Sequence, residues 1–185
     1  MGKKELLKAM GSVRESLKKE DSLELRLLAN DSIKKAALSN DKAMASVSLV
    51  AYSLHKILSK EHFVKSKKWK QRKKAILSCL DRALASLEKG KMKAFHKCMG
   101  SIAAEVQKMD RSFGRYVQSL FDKARVKYAA DAYFFGLSLS QASSLTRADR
   151  KAVQEYVGFT KLHDKDAAAE GIGKRLRAFR KAMGE

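Results

Sequence analysis

An all-α fold, a multi-helix bundle, follows from three features of this 185-residue sequence. Proline is absent, so nothing along the chain removes a helix donor or clashes with a preceding carbonyl. Ala, Leu, Lys, Ser and Glu dominate, and most of these lose little on entering a helix. Apolar side chains recur at every third or fourth position, the spacing of one helix face, and leave little room for sheet. The length allows one domain or two small ones, enough for a real core.

Residues 3–20 form the first amphipathic helix, with Leu6, Met10, Val13 and Leu17 on one face and Lys and Glu between them. Glu20-Asp21-Ser22 reads as a break and a new cap, after which Leu25, Leu28, Ser32 or Ile33, and Ala36 carry a second helix to about Leu38. Asn40-Asp41 punctuates again, and Met44, Val47, Val50 or Ala51, Leu54 and Ile57 trace a third. No charge falls in residues 43–54, so this third helix is expected to be buried on several sides at the centre of the bundle.

Residues 65–74, KSKKWKQRKK, hold seven cations and no acid. Like charges in a block repel, so Lys65, Lys67, Lys68, Lys70, Arg72, Lys73 and Lys74 are expected as a solvated arm or a polyanion contact. Trp69 either stacks on an unpaired base or anchors the next helix in the core, and the stripe continued by Ile76, Leu80, Leu84 and Leu87 favours the anchor. Gly90 ends that helix. Met92, Phe95, Met99, Ile102, Val106 and Met109 line the next one, more readily as core filling than as an adaptable partner surface. A long helix is expected after Asp110, with Phe113, Val117, Leu120, Ala124 and Tyr128 facing inward, running through Phe135 to Gly136. Beyond Gly158, Ile172, Leu176, Phe179 and Met183 mark a last amphipathic helix with Lys174, Arg175, Arg177, Arg180 and Lys181 on its outer face. The chain thus divides into a bundle over residues 1–110, a long helix with a helix-turn-helix-like unit over 111–161, and a basic terminal helix over 162–185.

The organising stretch is residues 138–157. Ser138 or Ser140 can cap a short helix burying Leu139, Ala142 and Leu145; Thr146, Arg147 and Ala148 turn; and Asp149 caps a second helix whose inner face is Val153, Tyr156 and Val157. Arg150, Lys151 and Gln154 point outward. The pattern AxxLxxxDRxxVxxYV resembles the helix-turn-helix of small prokaryotic antitoxins and related regulators, and GLSLSQASSL followed by EYVGFTK resembles a group of helical archaeal proteins, some of which are thought to partner PIN-domain ribonucleases. The resemblance implies a DNA-binding regulator or an antitoxin-like protein. It departs where a Gly usually stands, which is Arg147, and where a larger apolar residue usually follows, which is Ala148. A left-handed turn residue is costly for Arg, so a distorted turn is one expectation.

Forty Lys and Arg against 20 Asp and Glu give a net charge of +20, which attracts polyanions and repels other copies of the chain. Nucleic acid is therefore the expected partner, duplex DNA first and structured RNA second, with an acidic protein behind them. A homodimer is possible, since specific DNA binding usually uses two half-sites. Cys79 and Cys98 lack zinc or disulfide spacing, and no signal peptide or membrane-length apolar run is visible, so a cytoplasmic, non-membrane protein is expected. His55, His62, His96 and His163 are scattered without a second ligand at zinc spacing. None has an Arg at the spacing of the helical HEPN ribonucleases, and no phosphate-binding glycine loop or GxSxG is present. The sequence therefore points to a non-enzyme without cofactor or metal, in which Arg150, Lys151 and Gln154 approach base edges while Arg147 and the last helix hold phosphates.

Overall fold

The computed structural model describes residues 2–66, 68–112 and 120–159, and every regular element among them is helical. Phe113, Val117 and the expected basic terminal helix lie outside the described residues.

The chain turns its first corners by one device. Helix α1 (Lys3–Lys19) ends on Glu20, at φ 57°, and α2 (Ser22–Ser39) ends on Asn40, at φ 49°. Each left-handed residue is followed at once by an aspartate that caps the next helix. Asp21 Oδ1 accepts from Glu24 N at 2.9 Å, and Asp41 Oδ1 accepts from the amides of Ala43 and Met44 at 2.8 and 3.1 Å. Orphan amides are satisfied without a loop, and successive helices fold back as close neighbours.

The expected central helix is α3 (Lys42–Leu58), which packs against α1, α2, α6, α7 and α8. Met44, Val47, Val50, Leu54 and Ile57 are buried, each contributing roughly 1.5–3 kcal/mol relative to exposure. Its serines are accommodated by bonds to carbonyls: Ser48 Oγ donates to Ala29 O across the α2–α3 interface at 2.7 Å, and Ser53 Oγ donates to Leu49 O at 2.8 Å. The opposite end of this interface is pinned by His55. Its Nδ1 lies 2.9 Å from the carbonyl oxygen of Ser22, which can only accept, so Nδ1 carries the proton. Burial pushes the His55 pKa below the ordinary imidazole value, with the Ser22 bond opposing. The folded state thus prefers the neutral ring, while in the unfolded chain it titrates near ~6.5. Between those two values the unfolded state binds more protons, so stability should fall as the pH drops below ~6.5 and level off below the folded pKa. Melting curves across that window should show the decline in the native chain and a shallower one in His55→Gln; an equal slope in both contradicts the assignment.

After the short α4 (Glu61–Val64), α5 (Trp69–Glu88) and α6 (Met92–Ser112) pair with each other, and α5 also lies on α1. Trp69 is an anchor: it is 4% exposed, and its indole N–H donates to Glu20 Oε1 at 3.0 Å. Ile76, Leu80 and Leu87 continue its buried stripe, with Leu84 half-buried. The expected boundary at Asp110 is not where α6 ends, because the Asp-Arg-Ser sequence there contains nothing that breaks a helix.

Helix α7 (Leu120–Phe134) enters the same core. Tyr128 is fully buried, donates to Asn30 Oδ1 at 3.2 Å and meets Tyr52 edge-on at 5.1 Å between ring centres. Gly136, at φ 100°, supplies the turn after α7, ending that helix before Phe135. Two short helices follow, α8 (Leu139–Thr146) and α9 (Arg150–Phe159).

Candidate nucleic-acid interface

Helices α7, α8 and α9 pack on one another, and α8 also rests on α3. The start of α8 is fixed by a reciprocal pair: Gln141 N donates to Ser138 Oγ at 3.2 Å, and Ser138 N donates to Gln141 Oε1 at 2.9 Å. Ala142 and Leu145 are buried and Leu139 half-buried, which sets the face that α8 turns inward. The corner repeats the Asp-cap device with one residue added. Arg147 sits at φ 57° and ψ 36°, the amides of Arg147 and Ala148 both donate to Ser143 O, and Asp149 Oδ1 accepts from Ala152 N at 2.8 Å. The turn is therefore formed with Arg in the position glycine favours, rather than distorted. Left-handed backbone disfavours an L residue. Arg147→Gly should accordingly raise the denaturation midpoint by the equivalent of about 1 kcal/mol; a lower midpoint contradicts the geometry.

On α9, Val153 faces the core and Val157 is half-buried, but Tyr156 is 37% exposed and only partly on the inner face expected for it. Arg150, Lys151 and Gln154 are exposed together with Arg147 at the corner, and none of the four has a side-chain hydrogen bond or ion pair among the described residues. Two acids, Asp149 and Glu155, share this surface; the first is engaged as the cap.

The basic block over residues 65–74 divides in two. Lys65 pairs with Glu61 at 2.6 Å, Arg72 with Glu105 at 2.5 Å, and Lys73 with Glu20 at 2.7 Å while also donating to Lys18 O at 3.0 Å. Arg72 and Lys73 thereby join α5 to α6 and α1, a structural use that the sequence did not separate from phosphate contact. The Lys73 ammonium, aided by the Trp69 indole, holds the Glu20 carboxyl below the usual carboxylate range. Lys68, Lys70 and Lys74 are exposed and have no such partner among the described residues. Lys68 and Lys70 stand at the start of α5, which has no side-chain cap and no acid in its first turn, and Lys74 lies one turn further on. Cations there oppose the helix dipole, at a cost of about 0.3–1 kcal/mol each that an anion relieves. This group and the α8–α9 corner are not brought together, since α5 packs on α1 and α6 whereas α9 packs on α7 and α8. Lys67, Lys174, Arg175, Arg177, Arg180 and Lys181 lie outside the described residues.

Arg147 also lines a cleft of about 100 Å³ between α3, α6, α7 and α8, and here the sequence reading missed residues. Lys42, His96 and Arg125 share that lining, one from each of three other helices. No spacing rule connects residues so far apart in sequence. The chain matches no family model, no curated protein and no solved structure. Among the described residues no cluster of three or more His, Cys, Asp or Glu gathers as a metal site, Cys79 and Cys98 are unpaired, and no helix is long and apolar enough to cross a membrane.

Proposed function

We propose that this is a non-enzymatic nucleic-acid-binding protein that offers the α8–α9 corner, as a helix-turn-helix, to the major groove of duplex DNA. Arg150 and Gln154 reach base edges, where Arg matches guanine and Gln matches adenine, with Lys151 beside them and Arg147 on a phosphate. One observation carries the reading: on a chain of net charge +20, the four polar side chains of this corner are exposed and uncommitted. Side chains held at the front of a helix after a tight turn are what a groove-reading protein requires. Lys68, Lys70 and Lys74 offer a second phosphate contact apart from the corner, and Lys174, Arg175, Arg177, Arg180 and Lys181 are proposed to hold phosphates as well. Selection from random duplexes should yield a preferred sequence, bound more tightly than structured RNA at the same salt concentration. Recovery of no preferred duplex, with structured RNA bound more tightly, reverses the reading in favour of recognition of folded RNA by shape.

A second reading is favoured by α2, where Leu23, Leu27 and Leu38 are 65%, 54% and 74% exposed. Leucines this open suit a helical module that covers a partner such as a nuclease, as the antitoxin resemblance implies. A small acidic protein that co-purifies after nuclease treatment, and is lost on Leu23→Ser with Leu27→Ser, supports that reading.

A further inference from the structure

The cleft beneath the corner differs from the open surface of α9. Its lining contains Lys42 at the start of α3, His96 on α6, Arg125 on α7 and Arg147 after α8, and no carboxylate. The guanidinium of Arg125 is oriented from two sides. Its Nη1 donates to Asp122 Oδ1 at 3.1 Å, and its carbon lies 5.3 Å over the Phe121 ring. Its Nε, in contrast, is buried and has no partner. The side chain as a whole is 31% exposed, and guanidinium forks match the oxygens of phosphate. The two hydroxyls in the lining are engaged within their own helices: Ser46 Oγ donates to Lys42 O and Thr146 Oγ1 to Ala142 O. Leu49 and Phe121 give the cleft an apolar side, where the attraction between charges is stronger than in open water.

We propose that this cleft is a phosphate-binding site, in which Arg125, Lys42 and Arg147 hold the oxygens and His96 stands at the rim. The volume suits a single phosphate group, supplied either by a nucleic-acid strand or by a small phosphorylated molecule. The site draws on the proposed nucleic-acid function only for the first of these sources.

The test uses the full chain, inorganic phosphate and NMR of the His96 ring, with chloride at matched ionic strength as the control. Phosphate should shift the His96 signals saturably and chloride should not; Arg125→Gln and Lys42→Gln should each weaken the response roughly tenfold. Because Arg125 also contacts Asp122 and Phe121, Lys42→Gln at the rim keeps the test valid if Arg125→Gln unfolds. If duplex DNA produces the same His96 shift and binds both variants more weakly, a strand supplies the phosphate. If duplex leaves His96 unshifted while phosphate moves it, a small phosphorylated ligand is the occupant. Absence of a saturable phosphate shift, or an equal shift in Lys42→Gln, overturns the site even where Arg150 and Gln154 variants still lose DNA affinity. Conversely, a phosphate response that persists when those variants bind DNA normally leaves the site standing and removes the groove-reading function.

Discussion

Replacing Arg150 or Gln154 by alanine should each lower affinity for the preferred duplex by about 1–3 kcal/mol, roughly 5- to 150-fold, with little loss on random DNA. The reason is chemical. A bidentate contact to a base edge discriminates one base pair, so removing it relaxes sequence choice at one position while leaving the phosphate grip intact. Both side chains sit on the open face of α9 and neither supports the fold, which rests there on Val153 and on the Asp149 cap. Melting temperatures should therefore stay close to native. Arg147→Gln, by contrast, should weaken all sequences alike. Repeating the selection with each variant checks this; an unchanged consensus in both Arg150→Ala and Gln154→Ala contradicts base reading.

Trp69→Ala should destabilise the protein by about 3–5 kcal/mol, a large share of the stability expected for a domain of this size. The loss has two parts. A cavity opens where an almost fully buried indole stood, and Glu20 is deprived of one of its donors. Glu20 is itself held in left-handed backbone, so the same contact supports the α1–α2 corner. Trp69→Phe keeps most of the volume and should cost less. A buried ring cannot also stack on a base, so Trp69→Phe should leave nucleic-acid affinity at the native value, whereas a lost stacking contact lowers it by roughly 1–3 kcal/mol. Denaturant titration followed by circular dichroism gives the first quantity. A cost below about 1 kcal/mol for Trp69→Ala argues against the anchor.

Much of the helical order is legible in the sequence because its signals are local. Apolar spacing locates the faces of α1, α3 and α5, and the Asp residues at 21, 41 and 149 cap the helices that follow them. The left-handed residues differ in legibility: Arg147 is marked because it stands where the resembling motif has a Gly, whereas Glu20 carries no glycine signal and only the Asp21 cap after it betrays the turn. The end of α6 past Asp110 escaped for the opposite reason, since an acidic residue in mid-helix can resemble a boundary.

For the candidate site, the exposed set Arg147, Arg150, Lys151 and Gln154 was legible as one short motif on consecutive helices. What sequence could not give was the sorting of cations by environment. Arg72 and Lys73 look like Lys68, Lys70 and Lys74 in the sequence, but their acids come from elsewhere in the fold, Glu105 and Glu20, whereas Lys65 pairs locally with Glu61 four residues before it. The cleft is invisible for the same reason, because Lys42, His96 and Arg125 meet Arg147 only through tertiary packing.

The central claim is that the surplus positive charge exists to meet phosphate, and the salt dependence of duplex binding measures it most directly. Each phosphate neutralised releases counterions, so log K should fall linearly with log salt at a slope of about −0.9 per contact. The native chain should show a slope steeper than about −4, reduced by close to one in Arg147→Gln. A slope near zero, or one that the substitution leaves unchanged, contradicts it.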